Sequence, residues 1–139
     1  MLWLETGLTR LALRGRLLPQ LFLLAFTLVM FLPGFFTLPP VDRDETRFAQ
    51  ASRQMVASGD YVDIRLGEET RYKKPVGIYW LQSAALTLVG AEEHAQDIWA
   101  YRLPSALAAL CSVLLTYGIA RRLIGPEGAL LAGAVLAVG

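Results

Sequence analysis

The sequence predicts an all-α integral membrane protein with two complete transmembrane helices, the start of a third, and a large outer loop that bears interfacial amphipathic helices. Hydrophobic residues make up 55% of the 139 residues and charged residues 18%, which departs from the averages of soluble domains. Two long stretches, residues 17–41 and 103–120, carry no charged side chain. Between them, residues 42–74 hold seven acidic and seven basic groups, an even mixture unlike a targeting tail. The net charge of +1 indicates no nucleic-acid partner.

The first uncharged stretch predicts a retained transmembrane anchor. It is long enough to span a bilayer with some tilt, and it ends in Phe-Phe-Thr-Leu-Pro-Pro, unlike the small residues that end a signal peptide. Arg10, Arg14 and Arg16 precede it, so the positive-inside rule places residues 1–16 in the cytoplasm and the following loop outside. Three prolines predict a kink and then the end of this helix: Pro33, Pro39 and Pro40.

The second uncharged stretch predicts a transmembrane helix over residues 102–120. Arg121 and Arg122 follow it, and the same charge rule makes residues 121–127 a cytoplasmic turn. The chain then crosses the membrane once between the two arginine-flanked ends, so the outer loop spans residues 42–101.

Two apolar segments do not fit a full crossing. Residues 75–91 are uncharged, but a crossing there would put Arg121 outside, so we expect a helix along the membrane surface with Tyr79 and Trp80 at headgroup level. The Gly-Pro-Glu-Gly sequence at 125–128 predicts a tight turn. Residues 128–139 then begin a third helix, as expected for the N-terminal piece of a longer protein.

The outer loop is predicted to fold on the membrane surface. The sequence Asp-Glu-Thr-Arg from Asp44 begins a helix that Asp42 or Asp44 caps and Gly59 ends. The segment 61–66 alternates in polarity and predicts a short extended stretch. One apolar stripe runs along the helix at helical spacing: Phe48, Ala51, Ser52, Met55 and Val56.

Several polar side chains in the loop have a structural and a functional interpretation. Asp44 and Glu45 are either carboxylates that suit the positive end of a helix, or one of them faces a cleft as a catalytic group. Lys73 and Lys74 either lie among lipid headgroups or bind a phosphate. His94 has no second imidazole in the chain, so it predicts no metal site, and Cys111 is expected to be a buried small hydrophobe.

Three blocks of sequence in order favour the functional interpretation: RDETRFAQASRQMVASGDY, RYKKPVGIYWLQSAAL, and YRLPSALAAL followed by TYGIARRLIG. This arrangement resembles the N-terminal part of the polyprenyl-phosphate-sugar-dependent membrane glycosyltransferases of the C-type fold. That superfamily includes the aminoarabinose transferases of lipid A and the protein O-mannosyltransferases. The likeness covers the chain from about residue 20, and Asp44 and Lys74 are 30 positions apart in it.

The resemblance implies roles for individual residues. The aspartate of the family's Asp-Glu pair falls on Asp44, as the catalytic carboxylate, with Glu45 beside it. The lysine of its Lys-Pro pair falls on Lys74, which implies contact with the donor phosphate and leaves Lys73 to support it. Beside these matched positions, Arg47 and, more weakly, Arg71 either add positive charge near the phosphate or pair with Asp44 and keep it ionised.

One departure from the family concerns a metal. The aminoarabinose transferases have a glutamate before the lysine, implicated in a metal site, and Lys73 replaces it here. We therefore expect no cofactor, and regard a divalent metal at this position as doubtful.

The resemblance implies a plasma-membrane enzyme, the inner membrane in a bacterium, that moves a sugar from a polyprenyl-phosphate donor to a lipid or protein acceptor on the outer face. One displacement at the anomeric carbon inverts its configuration, and the isolated 139 residues are expected to be inactive. A protein O-mannosyltransferase is the alternative within the superfamily. A non-catalytic membrane subunit or half of a transporter is the alternative outside it, although the two predicted spans lack the charges typical of transporters.

Overall fold

Helices account for nearly all regular structure in the described residues of this protein. The computed structural model describes Gly7, Leu11 and residues 15–139, and it is 74% helical with almost no sheet. The prediction of an all-α class is therefore confirmed. Contacts divide the described residues into two compact units. The span unit comprises the described residues up to Pro33 together with Ala106–Gly139, and the loop unit comprises Gly34–Ser105. Arg10 and Arg14, two of the three arginines that predict a cytoplasmic N-terminus, lie outside the described residues.

Two helices among the described residues are long and apolar enough to cross a membrane. Helix α1 comprises Leu17–Phe35, and helix α5 comprises Ile98–Leu123. Only 17% of the most apolar stretch of α1 and 11% of that of α5 is buried, so their apolar side chains face outwards, as lipid-facing helices do. Helix α6, Gly125–Val138, is apolar but shorter. Cys111 is exposed on α5, so the prediction that it is buried is wrong.

Small side chains allow close packing inside the span unit. Leu23 of α1 is fully buried, and a Cβ atom added to Gly133 of α6 would lie 2.8 Å from its Cδ1 atom. Thr27 is also buried, and its hydroxyl donates a 2.7 Å hydrogen bond to the carbonyl of Leu23. The buried core joins residues of three helices: Leu23, Val113, Tyr117, Ala129, Leu130 and Ala137.

The ends of the apolar helices differ from the predicted boundaries. Helix α1 ends at Phe35 rather than at residue 41, because Gly34 adopts the left-handed region (φ 84°) and its carbonyl accepts hydrogen bonds from the N–H groups of Thr37 and Leu38. Helix α5 is longer than the predicted 102–120. The expected turn at 125–128 is instead the first turn of α6, and the chain leaves the helical path at Ile124.

The loop unit contains three further helices and a hairpin. Helix α2 is Arg43–Ser58, α3 is Gly77–Val89, and α4 is Ala91–His94. Strands β1, Arg65–Leu66, and β2, Glu69–Thr70, pair antiparallel. The predicted surface helix over 75–91 is confirmed as a helix, whereas its place on a membrane remains a prediction.

Helix α2 packs against α3 through its predicted apolar stripe. Ala51, Ser52 and Met55 are buried, and Gly59 ends the helix in the left-handed conformation (φ 72°), so this prediction is confirmed. Tyr79 of α3 is fully buried, with its ring centroid 5.3 Å from that of Phe48, so the prediction that it reaches lipid headgroups is wrong.

Buried polar groups connect α2 to α3 and to the start of α5. The hydroxyl of Ser52 donates to the side-chain carbonyl oxygen of Gln82 (2.9 Å), and the amide nitrogen of Gln82 donates to the carbonyl of Tyr101 (3.1 Å). The hydroxyl of Ser83 donates to the carbonyl of Ser52. Because these buried groups satisfy one another, they fix how the helices align.

The predicted extended segment 61–66 is largely wrong. Only Arg65–Leu66 forms a strand, and Val62 is 82% exposed while Ile64 is 3% exposed. The reason is local: the carboxylate of Asp60 accepts hydrogen bonds from the N–H groups of Val62 and Asp63, which folds the chain into a turn.

Candidate active site

The first turn of α2 carries the proposed catalytic carboxylate. Asp42 is the residue that caps the helix, because its carboxylate accepts a hydrogen bond from the N–H of Asp44 (3.4 Å). Asp44 itself lies within the first turn, where a negative charge suits the helix dipole, and its side chain is 44% exposed. Of the two predicted caps, Asp42 is thus the correct one, and the side chain of Asp44 is not occupied by capping.

Two arginines converge on Asp44. The guanidinium of Arg47 lies 3.4 Å from its Oδ1 atom and that of Arg71 lies 3.6 Å from the same atom. Of the two alternatives for these arginines, the structure shows the pairing with Asp44, and a contact with the donor phosphate remains a prediction. Their surroundings differ, because the side chain of Arg47 is 41% exposed and that of Arg71 only 10%.

Glu45 points to a different partner. Its carboxylate binds Arg102 through two hydrogen bonds, Nε to Oε1 at 2.6 Å and Nη2 to Oε2 at 3.2 Å. The N–H of Val41 donates to the same carboxylate, at 3.0 Å. The hydrogen bond from Arg102 is the main reason that the pKa of Glu45 lies below its usual value, and the bond from Val41 adds to the effect while partial burial opposes it.

Arg102 also binds the chain that leads into α2. Its guanidinium donates to the carbonyl oxygens of Phe35, Leu38 and Pro39 at 3.3, 2.9 and 3.1 Å. We call these contacts and the pair with Glu45 the arginine clasp. Sequence reasoning missed it, although a single arginine directly before 18 uncharged residues was a signal that a charged partner is required.

The two lysines are available for a ligand. Lys73 and Lys74 are both exposed, in the segment between β2 and α3. The N–H of Arg71 donates a 2.7 Å hydrogen bond to the carbonyl of Ile64, which anchors this segment to the hairpin. The structure thus brings Asp44, Arg47 and Arg71 together, and leaves Lys74 on the same loop unit without a contact to Asp44 among the described residues.

Comparisons with known proteins give the chain its family. A model of the family described as dolichyl-phosphate-mannose-protein mannosyltransferase matches residues 73–139. An undecaprenyl phosphate-alpha-4-amino-4-deoxy-L-arabinose arabinosyl transferase of Edwardsiella ictaluri (strain 93-146) is 36% identical over 113 residues, covering 77% of this chain and 20% of that protein. The chain belongs to this superfamily of membrane glycosyltransferases.

Two further relatives carry the same description. That of Pseudomonas fluorescens (strain Pf0-1), numbered 2, is 36% identical over 107 residues, covering 77% of this chain and 18% of the relative. That of Pseudomonas paraeruginosa (strain DSM 24068 / PA7) is 33% identical over 104 residues, covering 70% of this chain and 18% of the relative. The chain spans about a fifth of the length of these glycosyltransferases, and no solved structure matches it.

Other parts of the described chain are weaker candidates for a functional site. Within residues 15–139, no group of three or more His, Cys, Asp and Glu side chains is placed to hold a metal ion. His94 pairs with Asp97 at 2.8 Å. The loop unit has a groove of about 550 Å³, which Gln50 and Arg53 of α2 line together with Asp97. It lies on the face of α2 roughly opposite Asp44 and contains none of the proposed site residues.

Proposed function

We propose that this chain carries the acceptor-activating and donor-binding part of a membrane glycosyltransferase. The enzyme moves a sugar from a polyprenyl-phosphate donor to a hydroxyl or phosphate of a lipid or protein acceptor on the outer face of the membrane. The observation that carries the proposal is a half-exposed carboxylate, Asp44, held by two guanidinium groups at the start of a helix. The names of the relatives support an undecaprenyl-phosphate-linked donor.

Asp44 acts as the general base in this proposal. Its carboxylate takes the proton from the acceptor as the acceptor oxygen attacks the anomeric carbon, and the bond from that carbon to the donor phosphate breaks. The phosphate leaves with the electron pair, and the configuration at the anomeric carbon is inverted.

Lys74 stabilises the leaving phosphate. Its ammonium group is exposed and ready to meet a charged ligand, as is that of Lys73. Positive charge next to the leaving group is most useful in the transition state, where negative charge develops on the phosphate. Arg47, which is 41% exposed, supplies a second accessible cation.

The site lies where lipid and water meet because the donor has a polyprenyl tail and a charged head. We propose that α1 and α5 each cross the membrane, with residues 1–16 and 121–127 in the cytoplasm and residues 42–101 outside. Helix α6 then begins a third crossing. This topology puts the loop unit beside the headgroups, where a lipid-linked phosphate is found.

The test uses the complete reading frame that contains these residues, because the relatives are about five times as long. Purified enzyme is given undecaprenyl-phosphate aminoarabinose and lipid A, and transfer is followed by mass spectrometry. Transfer that is lost in Asp44→Asn supports the proposal. Folded, donor-binding enzyme that transfers no sugar to lipid or protein contradicts it.

The family match favours one second candidate. Residues 73–139 fit the description of a dolichyl-phosphate-mannose-protein mannosyltransferase, which suggests a mannosyl donor and a protein acceptor. The same assay with polyprenyl-phosphate mannose and an acceptor peptide separates the two candidates. Transfer to serine or threonine hydroxyls, with lipid A unchanged, favours the protein mannosyltransferase.

A further inference from the structure

Arg71 has an unusual environment for an arginine. Its side chain is 10% exposed, and among the described residues its Nε atom is buried without a hydrogen-bond partner. Removing a guanidinium from water costs several kcal/mol unless its charge and its N–H groups find partners. A buried guanidinium group is tolerated when a nearby anion compensates its charge.

The anion that compensates Arg71 is Asp44. The contact of 3.6 Å from Nη2 to Oδ1 is the salt bridge that Arg71 forms within the described chain. The backbone of Arg71 is also fixed, because its N–H bonds to the carbonyl of Ile64, and Ile64 is buried in the core of the loop unit. A guanidinium on a fixed backbone, in a buried position, holds the carboxylate from one side.

Arg71 is poorly placed to bind the donor itself. A phosphate in solvent reaches exposed donors, and Arg47, Lys73 and Lys74 are all more accessible than Arg71. The buried Nε atom is closed to a ligand in this structure. The two arginines beside Asp44 therefore differ in how accessible they are to a ligand, although both contact the same oxygen atom.

We propose that Arg71 is a positioning residue, which fixes the carboxylate of Asp44 for proton transfer and does not bind the donor. The inference rests on the proposed function, because it assigns Arg71 a purpose in the reaction of Asp44. A positioning role can be distinguished from a role in folding alone. If Arg71 positions Asp44, replacing Arg71 lowers turnover only while residue 44 can act as a base.

The experiment is a double-mutant cycle in the full-length enzyme. Wild type, Asp44→Asn, Arg71→Met and the double variant are compared for kcat, for the KM of the donor and for thermal stability in detergent. Methionine keeps most of the volume of the arginine stem and removes the charge. Arg71→Lys keeps the positive charge but lacks the forked geometry of the guanidinium group. Arg47→Met is the matched control at the exposed arginine.

Arg71→Met is expected to lower kcat by up to about a hundredfold, since misplacing a catalytic group by one ångström costs that much, while the donor KM stays nearly unchanged. Arg71→Lys should recover part of the loss. Arg47→Met should mainly raise the donor KM. In the Asp44→Asn background, Arg71→Met should change turnover by less than about threefold, because the two residues act as one unit.

Three results would overturn the inference. The first is a donor KM that rises on Arg71→Met with kcat unchanged, which makes Arg71 a phosphate ligand. The second is a double variant in which the two losses multiply. The third is additive effects on thermal stability, which show that the pair is not coupled. Wild-type turnover in Asp44→Asn is a separate outcome, which refutes the catalytic role of Asp44. If the effects of the two substitutions on thermal stability are still coupled in that case, the pair of Arg71 and Asp44 stabilises the protein and has no catalytic purpose.

Discussion

The guanidinium of Arg102 and the carboxylate of Glu45 form a two-bonded ion pair across 57 residues of chain. Their side chains are 17% and 24% exposed, so water screens the pair only in part. Because Arg102 also binds the carbonyls of the last residue of α1 and of Leu38 and Pro39 in the segment before α2, the clasp sets where α2 begins. Asp44 precedes Glu45 directly, so the clasp also determines where the proposed base is located.

Replacing Arg102 by lysine should destabilise the protein although the charge is kept. A lysine cannot make the forked pair or reach several carbonyls at once, and losing charge-assisted bonds of this kind costs about 1.5–3 kcal/mol each. Thermal unfolding in detergent measures the loss. The control is Arg65→Lys, since Arg65 pairs with Asp63 on the surface and is 53% exposed. Equal shifts of the unfolding temperature for both variants would show that the clasp stabilises the protein no more than the surface pair of Arg65 and Asp63.

The clasp should also make stability depend on pH. The pKa of Glu45 is lowered in the folded protein, mainly by Arg102. A lowered pKa contributes stability that is complete above the usual glutamate value of 4.5 and is lost as the pH falls through the folded value. Wild type should therefore lose more stability than Glu45→Gln between neutral and acidic pH. Parallel unfolding profiles for the two proteins would contradict this.

Membrane topology is tested by cysteine labelling. Ser58 and Val62 are exposed in the loop unit and are expected to react from the outer side. Ser83 is unsuitable, because it is 1% exposed and bonds to Ser52. Cys111 is first replaced by serine, since it is exposed on α5. Labelling of either new cysteine from the cytoplasmic side alone would contradict the proposed orientation.

Lys74 is expected to matter more than Lys73. Both lysines are exposed, so neither substitution should affect folding, and a difference in activity reports on the ligand. A charge-assisted bond to phosphate is worth about 1.5–3 kcal/mol, so Lys74→Ala should weaken use of the donor about tenfold to a hundredfold. Steady-state kinetics of Lys74→Ala and Lys73→Ala give the comparison. Equal losses would favour general attraction of both lysines to anionic lipid.

Local features of the fold were predictable from the sequence, and the contacts between distant residues were not. The apolar stripe and Gly59 predict α2, because helix spacing and a left-handed stop are local properties. The pair of Glu45 and Arg102 depends on how the chain returns after 57 residues, which no local pattern encodes. The burial of Tyr79 was missed for the same reason, since it packs against α2.

The candidate site was predictable only in part. Pairing of Arg47 and Arg71 with Asp44 was one of two alternatives that the sequence left open, and the contacts in the fold decide for it. Which aspartate caps α2 was open, because Asp42 and Asp44 are both placed to do so and only the backbone geometry decides between them.

Asp44→Asn separates catalysis from helix stabilisation. The cap of α2 is Asp42, so the amide at position 44 should leave the helix cap intact. It removes the charge opposite Arg71 and should lower thermal stability, and it cannot accept a proton at neutral pH. Loss of a general base typically lowers the rate about 10²–10⁴-fold. The measurement is kcat of the full-length enzyme.

The matched control is Asp42→Ala, which removes the cap and should cost about 1 kcal/mol of stability with most activity retained. Glu45→Gln is a poor control, because it weakens the arginine clasp that positions α2. Turnover of Asp44→Asn within a few-fold of wild type would refute the catalytic assignment. Asp44 would then be only the acidic partner of Arg47 and Arg71, and the base would have to come from elsewhere in the full-length enzyme.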